Sequence, residues 1–159
     1  MKPDKHALAI VGVGNTIAGD DGAGVEVVRR LKTIWDGEPD IFFHTLEGDH
    51  FEIADLLDRA GKFIFVDAIA GARPGELVRM GKTCSSFAPS LHQADIAAVM
   101  HCLAALGTVD PFPSWELWGV TILPPSELGE GLTPEVEAAV EILCGKLCRL
   151  IEATIGAVL

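Results

Sequence analysis

Basic side chains are scarce in this chain. Against 23 aspartates and glutamates stand only 12 lysines and arginines, a formal net charge of −11. A surface of that sign repels phosphate backbones and anionic lipid, so nucleic acid is not an expected partner. Long apolar runs are missing too. A membrane helix needs about 18 or more apolar residues in succession, and Asp67 interrupts the best candidate, Phe63 to Ala70. Residues Ala7 to Gly14 behind Lys2 and Lys5 have the outline of a secretion signal, but Asp4 spoils its basic end and two glycines fall in its apolar stretch. A soluble, cytoplasmic protein without membrane insertion is expected. The four cysteines, Cys84, Cys102, Cys144 and Cys148, form no CxxC pair. Cys144 and Cys148 stand four apart, on one helical face, and reduced thiols fit them better than a zinc site or a disulfide.

What the chain does have is apolar content: 49% of 159 residues, ample for one packed core and far from the composition of a disordered chain. There is no internal repeat, low-complexity segment or linker, so a single domain over residues 1–159 is expected. The mean hydropathy of +0.35 is high for so acidic a chain. Either the core is large, or some apolar surface is reserved for a partner.

The elements alternate. Ala7 to Val13 is a continuous apolar run closed by Gly14-Asn15, which suits a strand buried on both faces. Gly24, Val27, Val28, Leu31 and Trp35 follow at helical spacing up to Gly37. Ile41 to Leu46 reads as a strand, Phe51 to Ala60 as a short amphipathic helix, and Phe63 to Val66 as a third strand. After the turn Arg73-Pro74-Gly75, Glu76 to Met80 alternates like a less buried strand. Ser90 is placed to cap a helix with Ile96, Val99, Met100, Leu103 and Leu106 on its apolar face. Trp115 to Ile122 is a fifth strand, and Thr133-Pro134-Glu135 opens a long last helix whose apolar face runs from Val136 to Ile155. Such alternation predicts an α/β fold, a mostly parallel twisted sheet with helices on both faces.

In sheets of this kind ligands bind beyond the carboxyl ends of the strands, where the strand order reverses. The loop after the first strand, Gly12-Val13-Gly14-Asn15 through Asp20-Asp21-Gly22-Ala23-Gly24, has Ile17 where a dinucleotide fingerprint needs glycine, and no P-loop lysine follows. Its two acids near a helix start suit the helix dipole, while its many glycines suggest a tight turn or a close approach. Asp67 ends the third strand, where a carboxylate must be paired, hydrogen-bonded or metal-bound unless it simply caps the next turn. With strands ordered 2-1-3-4-5, Asp21 and Asp67 face one crevice and His92 reaches it from the loop side. Two carboxylates and an imidazole suit a borderline divalent ion such as zinc, nickel, manganese or iron. Of the other histidines, His6, His44 and His101 read as structural, and His50, which follows a strand, is the likeliest exception. Cys84 and Ser85 lack a supporting motif for acyl-enzyme chemistry.

These motifs together resemble the hydrogenase maturation endopeptidases, the proteases that finish the large subunit of nickel-iron hydrogenases. The matching pieces are the glycine-rich first loop with Asp20-Asp21-Gly22-Ala23-Gly24, then Val66-Asp67-Ala68, His92-Gln93, and Gly131-Leu132-Thr133-Pro134, in order over nearly the whole chain. The resemblance implies a five-stranded three-layer α/β/α fold. It also implies removal of a short C-terminal peptide from the large-subunit precursor once nickel is in place, by aspartic-type or metal-dependent hydrolysis. Its metal-binding and catalytic positions fall on Asp21, Asp67 and His92. The implied metal is nickel carried by the precursor, with another divalent ion such as zinc or cadmium able to take its place. One departure is Glu47-Gly48-Asp49-His50-Phe51, where members often carry an Asp-Gly-Gly-Thr-like stretch. Two other classes compete: a non-catalytic chaperone that holds nickel or the immature subunit, and a nucleotide-binding α/β domain.

Overall fold

The first apolar run forms β1 (His6–Val13), followed by a 3-10 turn at Gly19–Gly22 and α1 (Ala23–Ile34). This computed structural model describes residues 5–81 and 93–157. Next come β2 (Ile41–Leu46), a 3-10 turn at His50–Asp55, β3 (Ala60–Ala70), β4 (Leu77–Gly81), α2 (Gln93–Ala105), β5 (Ser114–Ile122) and α3 (Pro134–Gly156). The five strands form one sheet. Side chains alternate across it. Ile64, Val66 and Ala68 of β3 pack with α1 and α3, while Phe63, Phe65 and Ile69 pack with Ile96, Val99 and Met100 of α2. This is the expected α/β/α layering. No helix among the described residues is long and apolar enough to cross a membrane.

The strand order is β2-β1-β3-β5-β4 rather than 2-1-3-4-5, and β4 runs antiparallel to β5. Connection length explains the difference. A parallel return needs a crossover of about a dozen residues, but only residues 71–76 link β3 to β4. The link folds over the end of β5 instead. There the Gly71 N–H donates to the Ile122 carbonyl (3.0 Å) and the Gly75 N–H to the Thr121 carbonyl (2.8 Å). The buried Thr121 hydroxyl donates to the Arg73 carbonyl (2.6 Å) and accepts from the Glu76 N–H (2.8 Å).

Three other expectations shift. The helix expected over Phe51 to Ala60 is only a 3-10 turn, capped by Asp49, whose side chain accepts from the Phe51 N–H. Residues 47–59 carry the chain from β2 past β1 to β3, and only His50–Asp55 of them are helical. The third strand continues four residues beyond Val66 to Ala70, because β5 offers partners through Ile122. Ladder pairing there outweighs the poor strand propensity of Asp67. The expected cap at Ser90 lies outside the described residues. Leu106, expected on the buried face of α2, lies past its end and is exposed.

The first turn of α1 lies directly on the sheet. A β-carbon on Gly24 would overlap the carbonyl oxygens of Val13 and Val66, and one on Gly12 would overlap the carbonyl of Gly24. Gly145, in α3, has open space around it. Gly24→Ala is therefore expected to lower stability by about 1–3 kcal/mol through overpacking. Gly145→Ala is expected to raise it by about 0.5–1 kcal/mol by removing the helical penalty of glycine. Urea unfolding of the two variants checks this, and shifts of the same sign would contradict the packing account.

Candidate active site

The glycines of the first loop serve the protein's own backbone. Gly14 has φ 151° and sits so close to the Asp21 carbonyl that a β-carbon there would overlap it. The Asn15 N–H donates to the same carbonyl at 3.2 Å. A β-carbon on Gly22 would crowd Thr16 at 3.0 Å. The loop thus folds back on the end of β1 and sets Asp21 over it. The close approach suggested by the glycine content is an internal one.

The two adjacent acids part company. Asp20 accepts the Thr133 N–H at 2.7 Å and the Thr133 hydroxyl at 2.9 Å, tying the loop to the start of α3. Gly19 and Gly129 add a backbone bond of 2.7 Å and Gly129 and Ile17 one of 2.8 Å, so the segment before α3 pairs with the first loop. Asp21 points elsewhere. It is 8% exposed and lines a cavity of about 830 Å³ with Asn15, Leu46, His50, Val99 and Cys102. That volume lies within the usual range for ligand sites.

Asp67 is fully buried. It pairs with Gly119 inside the β3–β5 ladder, so it caps no turn, and its Oδ1 accepts the Ala68 N–H at 2.8 Å. Between Phe65 and Ile69 in the alternation, it falls on the α2 face of the sheet, the face that carries the Asp21 cavity. Because Gly12 pairs with Val66, Asp67 stands beside Val13, one residue before the Gly14 that Asp21 overlies. The structure therefore sets the backbone of the Asp21 turn beside β3 at Asp67, toward the carboxyl side of the sheet. His92 immediately precedes the first residue of α2 and lies outside the described residues. Among the described residues no group of three His, Cys, Asp or Glu side chains is arranged to hold a metal ion.

The divergent loop after β2 contributes to the same cavity. Glu47 accepts the Thr16 hydroxyl at 2.8 Å and faces Arg29 at 3.7 Å, holding the loop to the first one. His50 lines the cavity, as its place after a strand suggested, and Phe51 stands at the wall 60% exposed. Cys102 also lines it, a position no sequence motif marked; its helical register, three residues beyond Val99, was the available signal. Cys102, Cys144 and Cys148 are free thiols. Burial pushes Cys144 up to about 11, which keeps it protonated and unreactive at neutral pH. Cys84 and Ser85 lie outside the described residues.

The two acids should respond in opposite ways to substitution. Asp20→Ala is expected to cost about 1–2 kcal/mol, because it leaves the Thr133 groups without their acceptor. Asp21→Asn is expected to leave stability within about 0.5 kcal/mol or raise it, as at sites held for function. Equilibrium unfolding checks both, and a larger loss from Asp21→Asn than from Asp20→Ala would assign Asp21 to structure.

Neither a protein-family model nor a curated protein sequence matches the chain. Solved structures do. An endopeptidase from Escherichia coli superposes with a TM-score of 0.74 at 26% identity, covering 89% of each chain. The hydrogenase maturating endopeptidase HybD from E. coli gives 0.67 at 27% identity, covering 92% of this chain and 93% of that one. The [NiFe] hydrogenase maturation protease HybD from Thermococcus kodakarensis gives 0.72 at 23% identity, covering 91% and 98%. Over about nine-tenths of its length, the chain has the fold of the hydrogenase maturation proteases.

Proposed function

We propose that the protein is an endopeptidase that removes a short C-terminal peptide from the nickel-loaded large-subunit precursor of a nickel-iron hydrogenase. The observation that carries this reading is the placement of Asp21 and Asp67. Both carboxylates are buried, Asp21 in the turn that folds back on the end of β1 and lining the cavity of about 830 Å³, Asp67 within β3 on the α2 face. The fold it shares with endopeptidases of hydrogenase maturation supports the same reaction.

Nickel belongs here to the substrate. Asp21, Asp67 and His92 are the residues we assign to hold it, with zinc or cadmium as acceptable replacements, so that the precursor's metal centre positions the scissile bond at the cavity. Asp21 is the better placed general base, because it lines the cavity whereas Asp67 is sealed from solvent. In this reading Asp21 takes a proton from a water molecule as the oxygen attacks the scissile carbonyl. The proton then passes to the departing amide nitrogen as the carbon–nitrogen bond breaks. Asp67 is left with the metal-holding role alone.

The test is intact-mass analysis of a nickel-loaded precursor incubated with the protein. Loss of a C-terminal peptide is expected, with kcat/KM lower by roughly 10²–10⁴ in Asp21→Asn and comparably reduced in Asp67→Asn and His92→Ala. Nickel-free precursor should stay intact. A stable complex with no change in mass would replace the protease by a chaperone that binds the immature subunit.

A further inference from the structure

Seven large apolar side chains are conspicuously exposed among the described residues, and four of them, Ile17, Phe51, Leu123 and Leu128, lie on loops at the carboxyl edge of the sheet. Ile17 is 55% exposed and Leu128 79%. Their neighbourhood is fixed. In the parallel bridge between Ala18 and Gly129, Ile17 and Leu128 stand side by side, and they are exposed while Ala18 is buried. Two backbone bonds and the Asp20–Thr133 latch hold this pair of segments together. The ridge is also tied to the site, because the Ile17 N–H donates to Asn15 Oδ1 at 3.1 Å and Asn15 lines the Asp21 cavity. Exposed aliphatic side chains on a rigid, hydrogen-bonded support, rimmed by polar residues, mark a surface built for contact. The rim is acidic: Glu127 and Glu130 flank Leu128 and are exposed, on a chain with net charge −11.

We infer that the ridge of Ile17 and Leu128, with Glu127 and Glu130 at its rim, docks an apolar segment of the precursor that is bordered by lysine or arginine. The inference rests on the proposed protease activity and deepens it. The cavity at Asp21 and Asp67 receives the scissile segment, and the ridge beside it grips a separate part of the same partner. The acidic rim steers the basic border during encounter, and the two aliphatic side chains lose water on contact.

The double variant Ile17→Ser/Leu128→Ser tests the ridge in steady-state cleavage of the precursor. Both side chains are exposed, so its melting temperature should match wild type. KM is expected to rise roughly tenfold with kcat unchanged, since the lost contact is made equally in the ground and transition states. Glu127→Gln/Glu130→Gln should flatten the salt dependence of kcat/KM. A double variant with wild-type KM, measured beside a wild type that cuts normally, overturns the ridge and leaves the protease standing. A wild type that neither cuts nor retains the precursor overturns the activity, and the ridge loses its partner with it.

Discussion

The contact on which the site depends is the one between the first turn of α1 and the ends of β1 and β3. Gly24 lies against the carbonyls of Val13 and Val66, and Gly12 leaves room for Gly24. Each of those carbonyls sits one residue before a part of the site: Val13 before Gly14, which carries the Asp21 turn, and Val66 before Asp67. Any side chain at position 24 pushes the helix off the sheet and moves the Asp21 turn relative to Asp67. Backbone packing thus sets where the Asp21 turn stands relative to β3.

The electrostatics follow the same division. Glu116, a buried acid toward the amino end of β5, is neutralised by Lys62 at 3.2 Å and Arg79 at 2.7 Å. Such pairing makes burial of a carboxylate tolerable. Asp20 spends its two oxygens on Thr133. Asp21 forms no ion pair with any described residue and opens into the cavity instead. Three acids thus have three roles, set by what the fold places beside them. The acidic loop therefore contains one latch and one candidate catalytic group in adjacent positions.

Much of this was legible in the chain. β1, β2, β5, α1 and α3 were marked by unbroken apolar runs or by helical spacing between capping residues and glycines, signals that local physics writes into neighbouring positions. Asp21 and Asp67 stood out because polar groups just past apolar strands in such a sheet sit at the reversal of strand order. The place of β4 was harder, since it depends on whether six residues after β3 can span a strand, a question of connection length and not of periodicity. The latch role of Asp20 was invisible for a different reason: its partner lies 113 residues away and is chosen only once α3 has docked. The exposed ridge was foreshadowed by the high mean hydropathy, but hydropathy says nothing of where surplus apolar surface lies.

The central claim is that Asp21 and Asp67 share one cation-binding corner. Anomalous diffraction from crystals soaked in a nickel or zinc salt, recorded on both sides of the metal absorption edge, tests it directly. The account predicts a single strong peak within bonding distance of both carboxylates, at about 2.0–2.2 Å from an oxygen of each, and its loss in Asp67→Asn. A metal bound only at surface histidines, with the corner between β1 and β3 empty, would contradict it.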